Sequence, residues 1–191
     1  MIKKVLVLGF MIFLGGLTLV HAEDRPATLA LFNPIQIFPQ EDSIEYFRWD
    51  FLYGVNDNVR GLDIGLVNQT TGAQRGLQSG FVNLTKDFHG WQNGFVNINE
   101  GKEKSIGLQT GFVSYVNGDF SGLQWGTINI VKGEYHGTQV GLFNSAGDLH
   151  GLQLGFINMS ERISEGVQIG LANVNEAKDP FWILPFVNGK F

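Results

Sequence analysis

His89, His136 and His150 are the residues of this sequence best suited to chemistry, as general acid–base groups or as ligands to a metal ion. Their spacing argues against either role. Each stands immediately before a motif glycine, Gly90, Gly137 and Gly151. A catalytic histidine is expected once, beside a partner carboxylate, whereas these recur as a rim residue does. No catalytic, cofactor-binding or metal-binding residue is assigned, and no cofactor is expected. Asp50 and Asp63 could line a polar interior, where a single carboxylate more often pairs with Arg or with backbone. Trp49, Trp91, Trp125 and Trp182 could stack sugars and fit better as packing or interface anchors. Gly-x-x-x-Gly recurs here within strands, where neither a dinucleotide loop nor a membrane-helix contact fits.

These residues hang on a repeat. Gly-x-Gln-x-Gly-x-x-Asn begins at Gly61, Gly76, Gly90, Gly107, Gly122, Gly137, Gly151 and Gly166, so the motif repeats cover 61–174. The only departures are Asp63 for Gln and Ser114 for Asn. Starts lie 14 to 17 residues apart. A unit this short cannot bury a face alone, so the copies must share one continuous sheet. Residues alternate within each copy as a strand requires. Thr71-Gly72, Asn117-Gly118, Lys132-Gly133 and Ala146-Gly147-Asp148 supply turn signals between copies. Thr28–Phe38, Tyr46–Val55 and a closing segment at 181–191 read as further strands, the last weakened by Pro185.

Two all-β architectures compete. In a parallel β-solenoid, glycine stacks on glycine and glutamine on glutamine, leaving bare glycine rows. In an antiparallel up-and-down meander, Lys132-Gly133 becomes a hairpin loop that sets Gly126 opposite Gln139 and Gly141 opposite Gln124, giving each glycine a large neighbour. That pairing favours the meander. About 10–12 strands would then close into a small β-barrel, because closure removes the edges of a large sheet. The solenoid stands as the alternative.

Residues 1–22 read as a secretory signal peptide: Lys3 and Lys4, an apolar run from Val5 to Val20, then a small-residue cleavage site at Ala22. Residues 23–191 form a single repeat-built β domain by length. The chain carries 13 basic and 18 acidic residues and no basic stripe, which argues against nucleic acid. It has no cysteine, so its sheet must hold without disulfides. In the meander, Gln78, Gln92, Gln109, Gln124, Gln139, Gln153 and Gln168 line a narrow filled interior. Rows such as Leu152-x-Leu154-x-Phe156 form an outward apolar belt suited to lipid. The inverse is a soluble exported barrel that keeps the Leu/Phe face inside and binds a small apolar ligand. A solenoid would present its Gln and Asn ladders as a flat, adhesin-like surface.

Leu52-Tyr53-Gly54-Val55-Asn56, the motif repeats and the ending Leu184-Pro185-Phe186-Val187-Asn188-Gly189-Lys190-Phe191 resemble a largely uncharacterised family of exported surface-repeat proteins of double-membrane bacteria. The resemblance covers most of the chain after residue 22. It implies an outer-membrane or surface address, with outer-membrane lipid as partner, and it implies no catalytic residues. The expected function is non-enzymatic: a structural or surface-interaction β-barrel, with the soluble barrel and the adhesin-like solenoid as alternatives.

Overall fold

A computed structural model describes residues 22–179 and 181–191. Nearly all of the expected signal peptide thus lies outside the described residues. The elements are β1 (Asp24–Phe32), β2 (Ile35–Gln36), β3 (Ser43–Asn56), β4 (Val59–Ser79), β5 (Val82–Asn99), β6 (Ser105–Val116), β7 (Phe120–Val140), β8 (Phe143–Leu154), β9 (Ile157–Asn175) and β10 (Ile183–Lys190). They make one ten-stranded sheet in the order β10-β9-β8-β7-β6-β5-β4-β3-β1-β2. From β3 to β9 every pairing is parallel.

The closed antiparallel barrel is therefore incorrect, and the chain is a parallel β-solenoid. Gly107, Gln109 and Gly111 pair in register with Gly122, Gln124 and Gly126, and Gln139 pairs with Gln153. Within β7, Phe120–Val131 pairs with β6 and Ile128–Val140 pairs with β8, so one strand winds past a full coil. Lys132-Gly133, Asn117-Gly118 and Ala146-Gly147-Asp148 are not hairpin loops. They are coil corners along one edge of the solenoid. The register shifts at Val131/Glu134 and Leu149/His150 fall at or beside this edge, as do the extra residues around Lys102 that lengthen one coil. Only the ends depart from parallel pairing among these strands: β2 returns against β1, and β10 runs back along β9.

The motif accounts for the register residue by residue. In every copy before the last, its first glycine takes a positive φ, from 93° at Gly61 to 144° at Gly151, which L side chains rarely adopt. A Cβ on Gly107 would also drive into the carbonyl oxygen of Gly90 in the preceding coil. The meander assumed that bare glycine rows weaken a sheet. Here the missing side chains are what let successive coils approach.

The glutamines form one hydrogen-bonded ladder. Nε2 of Gln92 donates to Oε1 of Gln78, and Gln109, Gln124, Gln139, Gln153 and Gln168 repeat the step at 2.7–2.8 Å. All are fully buried. An unpaired buried amide costs roughly 1–3 kcal/mol, so a like partner in the next coil is what makes a polar interior tolerable. The asparagines do two jobs. Asn129 Nδ2 donates to Asn144 Oδ1 at 2.9 Å and to the Val140 carbonyl at 3.0 Å, just before the second motif glycine of the next coil. Asn144 and Asn158 repeat both bonds. The second motif glycine is small for the same reason: a Cβ on Gly141 would sit 2.7 Å from the Asn129 amide. Gly141 thus neighbours Gly126 and Gly155, not the glutamines the meander placed beside it.

The two ladders point opposite ways. Glutamine N–H groups point toward the first coil and asparagine N–H groups toward the last. Behind them Phe88, Phe120, Tyr135, Leu149 and Ile163 face Val116, Val131 and Ala146 in an apolar core. Tyr135 lies deep enough to need a partner for its hydroxyl, and that hydroxyl donates to the Gly122 carbonyl at 2.8 Å.

Candidate functional site

With amides turned inward, the remaining motif positions face out. Outward side chains on the first wall include Leu77, Trp91, Leu108, Leu123, Leu152 and Val167. At the corner after the second motif glycine stand Leu66, Phe81, Phe95, Phe112, Leu142, Phe156 and Leu171, exposed by 44–60%. Phe81, Phe95 and Phe112 stack face to face at 5.0 and 4.9 Å, held in line by the parallel register. Beyond this corner Val82, Val96, Val113, Ile128, Phe143 and Ile157 carry the apolar surface onto the second wall. Thr127 interrupts the corner row, and Ser79, Asn93 and Thr110 interrupt the wall.

The opposite edge is charged. Lys86, Glu100, Lys102, Glu103, Lys104, Lys132, Glu134 and Glu161 stand along it. The solenoid is therefore amphipathic across its section, with one long apolar edge and one long charged edge. The adhesin-like alternative expected Gln and Asn ladders on display. They are buried, and the displayed surface is aliphatic and aromatic.

The first coils carry two further features. A cleft of about 510 Å³ opens between β1, β2 and β3, lined by Leu29, Leu31, Ile35, Ile37, Trp49 and Phe51. Beneath it the glutamine ladder ends on charge. Gln78 Nε2 donates to Asp63 Oδ2 at 2.8 Å. Arg48 grips both oxygens of Asp63 at 2.7 Å and reaches Asp50 Oδ2 at 3.1 Å, and all three side chains are fully buried. A carboxylate only accepts, so Asp63 forces Gln78 to turn its N–H inward and thereby orients every amide above it. One guanidinium cannot neutralise two buried carboxylates. Asp63 holds the bidentate pair and the excess falls on Asp50. Burial, against the pull of Arg48, raises the Asp50 carboxyl to about 7, with Asp63 adding to the rise.

The fold brings some of the candidate residues together and separates the others. His89 lies against the Lys104 carbonyl at 3.2 Å, next to Arg75 and Ile106 in register. His136 and His150 are brought side by side, with ring centroids 4.4 Å apart. Asp50 and Asp63 meet, through Arg48. The pairing with Arg was foreseeable, but which Arg was not. The available signal was Asp63 in a glutamine's place, one coil from Arg48. The tryptophans serve separate surfaces: Trp49 lines the cleft, Trp91 donates to Thr110 Oγ1 at 3.1 Å, and Trp125 is 63% exposed on the first wall.

Fold and surface together define a class, an amphipathic repeat β-solenoid with an amide interior. Among known proteins no family model, curated protein or solved structure matches the chain.

Proposed function

We propose that this chain is an exported, non-enzymatic β-solenoid that seats its apolar edge in a lipid layer, the outer-membrane lipid of a double-membrane bacterium, and shows its charged edge to water. The observation that carries this reading is the continuity of apolar rows around a convex corner onto both walls. A rigid partner covers one such surface. A fluid acyl phase wets all three. The division of charge is that of an interfacial amphipathic helix, built from strands. At about 4.8 Å per coil the apolar edge runs on the order of 40 Å. The resemblance to exported surface-repeat proteins supports the address.

Flotation with neutral phosphatidylcholine vesicles tests it. The wild-type chain is expected to float with the vesicles. Phe95→Asp with Phe156→Asp is expected to lower partitioning at least tenfold, whereas Lys132→Ala leaves it unchanged. Wild-type protein that stays with the soluble fraction refutes the reading. A second, adhesin-like reading is favoured by the stacked Phe81, Phe95 and Phe112, which offer a preformed rigid stripe to another apolar surface. It predicts loss of partner adhesion in the same variant with no vesicle binding by the wild type.

A further inference from the structure

Among the described residues, one group of histidine and acidic side chains from successive coils could hold a metal ion, and it is built on the row just before the first motif glycine. His136 and His150 occupy that row in adjacent coils, their rings stacked at 4.4 Å with a 12° tilt. Each ring nitrogen Nε2 faces a carboxylate two residues earlier in its own coil: Glu134 Oε2 at 3.6 Å from His136, and Asp148 Oδ2 at 3.5 Å from His150. One ligand atom each from Glu134, His136 and His150 lies within 4.8 Å of the others.

We propose that Glu134, His136 and His150 bind one divalent transition-metal ion, with Asp148 beside them. Two imidazole nitrogens bound to a tetrahedral ion at 2.0–2.1 Å stand about 3.4 Å apart. Closing to that distance needs only rotation of side chains that are 42%, 27% and 57% exposed at His136, His150 and Glu134. The donor set of two neutral nitrogens and a carboxylate suits copper, nickel or zinc, with copper tightest by the usual order. The surroundings favour a cation. Asp148 and Glu165 add negative charge, and Arg162 is committed to Asp148, where Ser164 also donates. Asp148 is 7% exposed, yet its Oδ1 has no hydrogen-bond partner. Oδ2, the oxygen that faces His150, is the one that Arg162 and Ser164 hold, so Asp148 keeps one oxygen uncommitted.

The same row supplies an internal control. His89 has the same residue type and the same position in its coil, but Arg75 and Ile106 flank it in register, so it lacks a second imidazole. Calorimetric titration of the tag-free protein with Cu²⁺ and with Zn²⁺ is expected to show saturable one-to-one binding. His136→Ala and His150→Ala should each weaken it at least tenfold, Glu134→Gln should weaken it less, and His89→Ala should leave it unchanged. Electron paramagnetic resonance of the copper form should show coupling to two nitrogens. All four side chains lie on the surface, so circular dichroism should be alike across the series. Wild-type binding no tighter than that of the His136→Ala/His150→Ala double variant overturns the proposal. So does an equal loss in His89→Ala.

Discussion

Ser114→Asn is expected to stabilise this protein, which is unusual for a buried substitution to a larger polar residue. Ser114 is fully buried and stands in register between Asn97 and Asn129. It breaks the asparagine ladder in two. Asn97 Nδ2 reaches only the Thr110 carbonyl, at 3.0 Å, whereas Asn83 and Asn144 each make a second bond to the next asparagine. On the far side Asn129 Oδ1 is buried without a partner, as is Asn68 Oδ1, the first acceptor of the ladder. A new amide would accept from Asn97 and donate to Asn129 and to the Trp125 carbonyl that precedes Gly126. Each added bond contributes about 1 kcal/mol net, and relieving a buried orphan acceptor contributes about 1–3. Ordering the new side chain takes back on the order of 1 kcal/mol. With the Asn129 bond counted once, as the relieved acceptor, the net gain of roughly 2–4 kcal/mol raises Tm by about 4–16 °C in a chain of this size. Thermal melting followed by circular dichroism measures it. Asn144→Ser should open a matching gap and lower Tm by a similar amount. If Ser114→Asn leaves Tm unchanged or lowers it, the ladder is not the stabilising element argued for.

Gly107→Ala combines a positive φ of 139° with a Cβ driven into the Gly90 carbonyl, and should cost more than about 3 kcal/mol, seen as a collapse of soluble yield. Asp50→Asn tests the buried charge: a carboxyl raised to about 7 favours folding fully below pH 4 and loses that contribution as pH rises through 7. The variant should therefore lose the fall in stability between pH 4 and 7, on the order of 4 kcal/mol, and melt higher than wild type at pH 8; an unchanged pH profile of denaturant unfolding refutes the assignment. Cysteines at Leu108 and Leu123 are in-register neighbours and should form a disulfide on mild oxidation, while a pair at Leu123 and Leu142, opposed in the antiparallel alternative, should not.

The all-β class, the repeat and the inward amides were legible because period-two alternation around Gln124 reports which residues share a face. That alternation is the same for parallel and antiparallel strands, so it carried no information on strand direction. Turn signals such as Lys132-Gly133 were ambiguous too, since a coil corner and a hairpin both want glycine there. Direction was encoded in the identity of the stacked residues. Glutamine satisfies both ends of its amide with its own kind one coil away, and a glycine row loses nothing when close backbone approach is the requirement. The amphipathic section was hidden for the same reason: Leu152, Leu154 and Phe156 read as one face of a straight barrel strand, when the chain turns a corner after the second motif glycine and the asparagine that follows points inward. The proximity of His136 to His150 depends on register alone, which the meander set elsewhere.

The reversal at β10 has a consequence best put in the language of polymer growth. Strands β3 to β9 present the in-register parallel stacking of a cross-β fibre, with glutamine and asparagine ladders that could add unit after unit. Addition halts where β10 lies antiparallel on β9, placing Asn188 rather than another glutamine beside Gln168 and tying Asn173 to the Leu184 carbonyl. Gln168 Oε1 is left without a donor, an idle acceptor at the end of the row. In these terms β10 is a chain terminator, and deleting residues 181–191 should turn a discrete particle into a seed that elongates through its exposed last coil.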